Sequence, residues 1–198
     1  MPFLAGTGKA ATGGAESVAV WNAYLSQAME LTTREIWALV HGLVIGGPLL
    51  LAFAAVLVSL YGLRSELLTA EGVRDRVRQL RLGAGVMVAM SWAIVLIGTW
   101  VLLPWYREDS PDSARSILVA DPGTRQWHEF ADVWKTHVAL MAPMLATAAA
   151  TLVAYYGRTL ARDRTVRNLA LALFVGAFAV TSLAALIGSL VTRAAPIR

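Results

Sequence analysis

The chain has 198 residues, is 57% hydrophobic and only 15% charged, carries a formal net charge of +4 and contains no cysteine. It is too apolar for an ordinary soluble domain, and the missing thiols exclude disulfides, thiolate metal sites, iron–sulfur clusters and haem attached through CxxCH. The basic residues cluster in loops as arginine, so they read as a membrane-topology signal, with no nucleic-acid signature beside them.

The first residues, MPFLAGTGKAATGG, lack the charged start and apolar centre of a cleavable signal peptide. Targeting then falls to the first spanning helix. Residues 16–32, ESVAVWNAYLSQAMELT, put Val18, Trp21, Leu25, Ala28 and Leu31 at helical spacing. This stripe predicts an amphipathic helix, lying on the membrane surface, against a partner, or running into the first span.

Four apolar runs follow, at 36–63, 82–104, 136–157 and 169–192, and none holds Asp, Glu, Lys or Arg. Each exceeds the ~20 residues that a helix needs to cross a bilayer. The expected fold class is an all-α membrane protein of four transmembrane helices. The chain then divides into an N-terminal segment (1–33), a first hairpin (34–104), an outer loop (105–133) and a second hairpin (134–198). The loop between helices 1 and 2 carries Arg64, Arg74, Arg76, Arg78 and Arg81, and the one between helices 3 and 4 carries Arg158, Arg162, Arg164 and Arg167. Short basic loops face the cytoplasm. The reading is therefore a multi-pass protein of a bacterial inner membrane with both termini periplasmic. Trp37, Trp100, Trp105, Tyr106 and Trp134 would form the outer aromatic belt. The outer loop is acidic and long for a bare connection, and a short helix is expected from about residue 124.

The two hairpins read as a duplication. Span 1 runs WALVHGLVIGGPLLLAFAAVLVSLYGLR and span 3 runs WKTHVALMAPMLATAAATLVAYYGR. Each has Trp, His, Pro and Tyr-Gly in the same order. RDR recurs at 74–76 and 162–164, LIGTWV at 96–101 matches LIGSLV at 186–191, and Pro104 and Pro196 close the halves. Parallel repeats are related by an approximate two-fold axis along the membrane normal. Helices 1 and 3 would then stand diagonally in an up-down bundle. His41 and His137 would sit within about 3 Å of one height, near the outer edge of the hydrocarbon layer.

An ionisable group in a span marks a functional site by default. Two level histidines suit the axial positions of one haem b, a six-coordinate centre fit for electron transfer. Small residues beside the ligands, Gly42, Gly46 and Gly47 in span 1 and Ala139, Ala142 and Ala146 in span 3, would leave room for a porphyrin. Arg34, Lys135 and Arg107 would meet its propionates. Pro48 and Pro143 would kink the helices and adjust the ligands.

The expected function is a membrane-embedded haem b electron-transfer subunit of a respiratory or photosynthetic complex. It would pass electrons between a periplasmic partner and the quinone pool or another membrane subunit. The outline is similar to the haem b anchors of respiratory complexes, by analogy alone. The alternative is a cofactor-free accessory subunit of such a complex, packed through its N-terminus and outer loop. A chlorophyll held by one histidine from each half is a further option. So is a copper or zinc site using His128 with Glu129 or Asp132, although no HExxH spacing is present. His128 otherwise reads as a surface residue, or as a haem cover or proton carrier at a quinol site. No P-loop, GxGxxG, GxSxG or paired intramembrane carboxylate is found, and the polar midplane that a transporter needs is thin.

Overall fold

A computed structural model describes residues 17, 18, 20–22, 31–64 and 68–195. Among these every regular element is helical. Four helices are long and apolar enough to cross a membrane: α1 (Thr33–Tyr61), α2 (Ala70–Tyr106), α4 (Pro122–Ala161) and α5 (Arg164–Ala194). A short helix, α3 (Ala114–Ala120), lies between α2 and α4. Residues 17, 18 and 20–22 are helical, with Val18, Val20 and Trp21 exposed. Leu25 and Ala28 of the expected amphipathic stripe lie outside the described residues.

Polar caps set the helix starts. At α1, Thr32 accepts the Glu35 backbone N–H at 3.2 Å, and the Glu35 carboxylate accepts the Thr32 N–H at 2.8 Å. This reciprocal pair satisfies two donors that the first turn leaves free. Thr69 caps α2 by accepting from Gly72, and Asp163 caps α5 by accepting from Thr165 and Val166. Asp121 caps α4, with Pro122 in its first turn, where a missing N–H costs nothing.

Two helices begin earlier than their apolar runs. α2 starts well before residue 82 because Val73, Val77 and Leu80 form a buried stripe on one face, while arginines occupy the other. α4 runs from Pro122 directly into the spanning segment, since no Gly or Pro interrupts the chain between Gly123 and Pro143. The short helix expected from about residue 124 is thus the first part of a spanning helix, and α3 is an additional element.

α1 packs on α2 and α5, and α4 packs on the same two helices. α1 and α4 therefore occupy opposite corners of an up-down bundle. The core sits toward the end where the arginines cluster, around Leu49, Phe53, Leu80, Met87, Val153 and Phe174. Phe53 meets Phe178 edge-on, with ring centroids 5.8 Å apart. Ala146, Ala149 and Ala177, all fully buried, let the helices approach closely. At the other end, which carries the histidines, no residue of α1 before Gly46 or of α2 after Ser91 is fully buried. A smaller cluster of Leu118, Ala131, Ile187, Val191 and Ala195 closes that end.

Candidate functional site at the histidine end

Three of the four spanning helices widen at this end. α1 is π-helical over Val40–Ile45, α2 over Gly98–Leu102 and α4 over Trp134–Val138. In each, an N–H reaches back five residues: Gly46 to His41, Leu103 to Gly98, and Ala139 to Trp134 at 3.1 Å. Such turns redirect the side chains around them and recur at functional sites. Here they carry His41, Gly98, Lys135 and His137.

The His41 ring packs on Gly98 of α2. A Cβ added at Gly98 would lie 3.2 Å from His41 Cε1, so a side chain there would push against the imidazole. Lys135 makes the corresponding contact in the second hairpin. A Cβ at Gly188 of α5 would lie 3.3 Å from Lys135 Nζ. Gly98 and Gly188 are the glycines of LIGTWV and LIGSLV, so the two matching motifs each receive a polar side chain from the preceding spanning helix. The Lys135 ammonium also stands within electrostatic reach of His41.

His137 behaves differently. Its ring is exposed, with Nδ1 3.2 Å from the carbonyl oxygen of Val133. Helical geometry gives the reason. Residues two apart on a helix point about 200° away from each other, so Lys135 and His137 cannot both face inward. Lys135 lies against Gly188 of α5, although it too is exposed, and His137 lies on the opposite side of α4.

The other expected residues divide. Gly46 is tightly packed: a Cβ there would meet His41 O at 3.2 Å and Ile94 Cδ1 at 3.5 Å. Gly42 and Gly47 border open space. Arg34 pairs with Glu108 at 2.6 Å and lies over the Trp105 ring. Arg107 Nη2 donates to both Asp132 carboxylate oxygens, at 2.7 and 2.8 Å. Two of the three cations expected at haem propionates are thus held by carboxylates, and Lys135 remains. His128 Nδ1 lies 2.6 Å from the Tyr106 hydroxyl, fastening α4 to the end of α2. Among the described residues, no three His, Asp or Glu side chains are grouped so as to hold a metal ion.

Bis-histidine haem ligation requires two imidazoles aimed at one iron from opposite sides. Among the residues expected to supply them, one imidazole points inward and one points outward, so the fit is half made. His41 suits an axial ligand, because its Nδ1 is buried and has no hydrogen-bond partner. Among the described residues, Trp134 Nε1 at the same end is likewise buried without a partner. Orphaned polar atoms of this kind call for a water or a ligand.

His137 belongs to an exposed stripe along α4. Trp127, Phe130, Val133, Met141 and Met144 are all exposed and share this side of the helix with it. The stripe leads into an open groove of about 630 Å³, bordered by Trp92, Met144, Thr147, Ala148, Leu169 and Leu173. The sequence had pointed to the histidines and Lys135. It did not single out Gly98, Gly188 or the Tyr106–His128 pair, although the two glycines stand in the repeated LIGxxV motif. Compared with protein-family models, with curated proteins and with solved structures, the chain matches none.

Proposed function

We propose that this protein is an accessory subunit of a larger complex in a bacterial inner membrane, with its termini on the periplasmic side. The observation that carries this reading is the exposed His137 in the α4 stripe. Ionisable residues in spanning segments almost always face a protein interior or a water-filled cavity. His137 faces neither within this chain. A helix from another subunit would supply the missing interior, meeting the imidazole with a polar group and covering the aromatic and methionine side chains. Met and aromatic side chains suit such contacts, since both are enriched at interfaces. Small residues in the groove would let the partner helix come close.

A photo-crosslinking residue at His137 or Phe130 tests the docking face in native membranes. The expected result is one discrete adduct from each position and none from Leu51, an exposed position on α1. Equal, diffuse lipid adducts from all three positions would overturn it.

The second reading is the haem b electron-transfer subunit. One observation favours it: the buried, unpartnered Nδ1 of His41. Haem, when bound, would supply one-electron transfer between a periplasmic donor and the quinone pool. Lys135 would then be positioned to meet a propionate. A reduced-minus-oxidised absorption spectrum separates the readings. A sharp b-type signal lost in both His41→Ala and His137→Ala replaces the cofactor-free reading; a flat spectrum from folded protein supports it.

A further inference from the structure

At the arginine end, the two loops that carry the basic residues meet in one cleft. It has a volume of about 640 Å³ and is lined by Arg74, Arg78, Arg81 and Arg158, with Val77, Tyr156, Gly157 and Thr159 completing the wall. No carboxylate is among the lining residues. Three of the arginines come from α2 at positions i, i+4 and i+7, hence from one helix face. The fourth comes from the end of α4.

The cleft is more than a solvated run of charges, because its shape is set by backbone. α4 ends in a tight turn over Gly157–Ala161. Gly157 has φ of 47°, the left-handed region that favours glycine. The Arg81 guanidinium fills the space beside it: a Cβ at Gly157 would lie 2.5 Å from Arg81 Nη2. The same nitrogen donates to the Ala154 carbonyl at 2.8 Å, which fixes the head group at the cleft wall. Arg74, Arg78 and Arg158 remain solvent-exposed around it. The walls set guanidinium groups beside the exposed Tyr156 ring, and the cleft opens near the end of α4. This combination matches a phosphodiester on an acyl-chain anchor. Guanidinium groups bind phosphate oxygens in a fork, and apolar walls accept the first methylenes.

We propose that this cleft is a binding site for the headgroup of an anionic phospholipid from the leaflet at the arginine end. A bound headgroup would bridge α2 and α4, and so hold the first hairpin to the second.

The test uses the full-length protein in a neutral detergent, read by native mass spectrometry and by melting temperature. The probes are phosphatidylglycerol, phosphatidylcholine and inorganic phosphate. The expected result is one tightly retained phosphatidylglycerol per chain and a rise in melting temperature with that lipid alone. Each basic group near an anionic surface contributes enough that Arg78→Gln with Arg81→Gln should weaken retention about thirtyfold. Arg162→Gln, exposed at the same end but outside the cleft, should leave retention unchanged. Gly157→Ala keeps every charge, yet it should weaken retention because the added methyl displaces Arg81. Equal retention of phosphatidylcholine overturns the proposal, as does an equal loss in Arg162→Gln or unaltered binding in Gly157→Ala. An equal thermal shift with inorganic phosphate would replace the lipid by a soluble anion.

Discussion

Arg167 is buried near the start of α5, where a charged side chain has to find partners. Its Nη1 donates to the carbonyls of Leu63, Leu160 and Ala161, at 3.3, 3.0 and 3.4 Å. These carbonyls lie just past the end of α1 and in the last turn of α4, where helices leave acceptors unpaired and cations are favoured. One guanidinium therefore ties three spanning helices together. Arg167→Met should lower stability by roughly 1.5–3 kcal/mol, the range for hydrogen bonds to a charged group. Arg162→Met at an exposed site should stay within about 0.5 kcal/mol. Unfolding midpoints of the two variants in one detergent check the difference. The sequence counted both arginines alike, as basic loop residues. Nothing in a local pattern says that Arg167 turns into the bundle; that follows from where the loop 62–64 and the turn 157–161 come to rest. The histidines show the same limit. Spacing predicted their heights but not the direction in which each ring points.

At the scale of elements, the spans were legible because uncharged runs of that length have no other stable place. Their starts were less so. An apolar stripe of period 3.6 interleaved with arginine carries α2 beyond its hydrophobic run, and an Asp-Pro cap sets α4 back to residue 122. The wide turns at three helix ends had no sequence signature beyond nearby Gly and Pro. Packing between the spans relies on shape, since lipid tails are as apolar as the core itself. Phe174, fully buried among the spans, illustrates the consequence. Phe174→Ala in a soluble core would cost about 3–5 kcal/mol through both lost transfer and the cavity left behind. In a bilayer the transfer part largely falls away. The expected cost is on the order of 2 kcal/mol. A steric-trap or denaturant measurement in bicelles would read it. A loss as large as in a soluble core would mean that the bundle interior is far drier, relative to the unfolded reference in lipid, than packing alone implies.

For the whole molecule, orientation in the membrane decides what each end can meet. Four crossings put the start of α1 and the end of α5 at one end of the bundle, with the loop between α2 and α4 beside them. The arginines cluster at the opposite end, in the α1–α2 and α4–α5 turns and the first turns of α2, and the bias of basic residues toward the cytoplasm predicts that this end is inside. The absence of cysteine makes this directly testable, because any introduced thiol is the only one present. Asp112→Cys lies in the loop after α2, and Arg162→Cys lies in the turn between α4 and α5; both positions are exposed. With a membrane-impermeant maleimide on intact spheroplasts, Asp112→Cys should label at once and Arg162→Cys only after lysis. The reverse pattern would invert the protein. The arginine cleft would then face the outer leaflet, and a periplasmic electron donor could no longer meet the histidine end. Labelling of both sites before lysis would exclude a four-span path, since α4 alone separates these two loops and a single crossing puts them on opposite sides. The measurement therefore bears on the bundle, the docking face and the lipid site together, which no single substitution at the histidines can do.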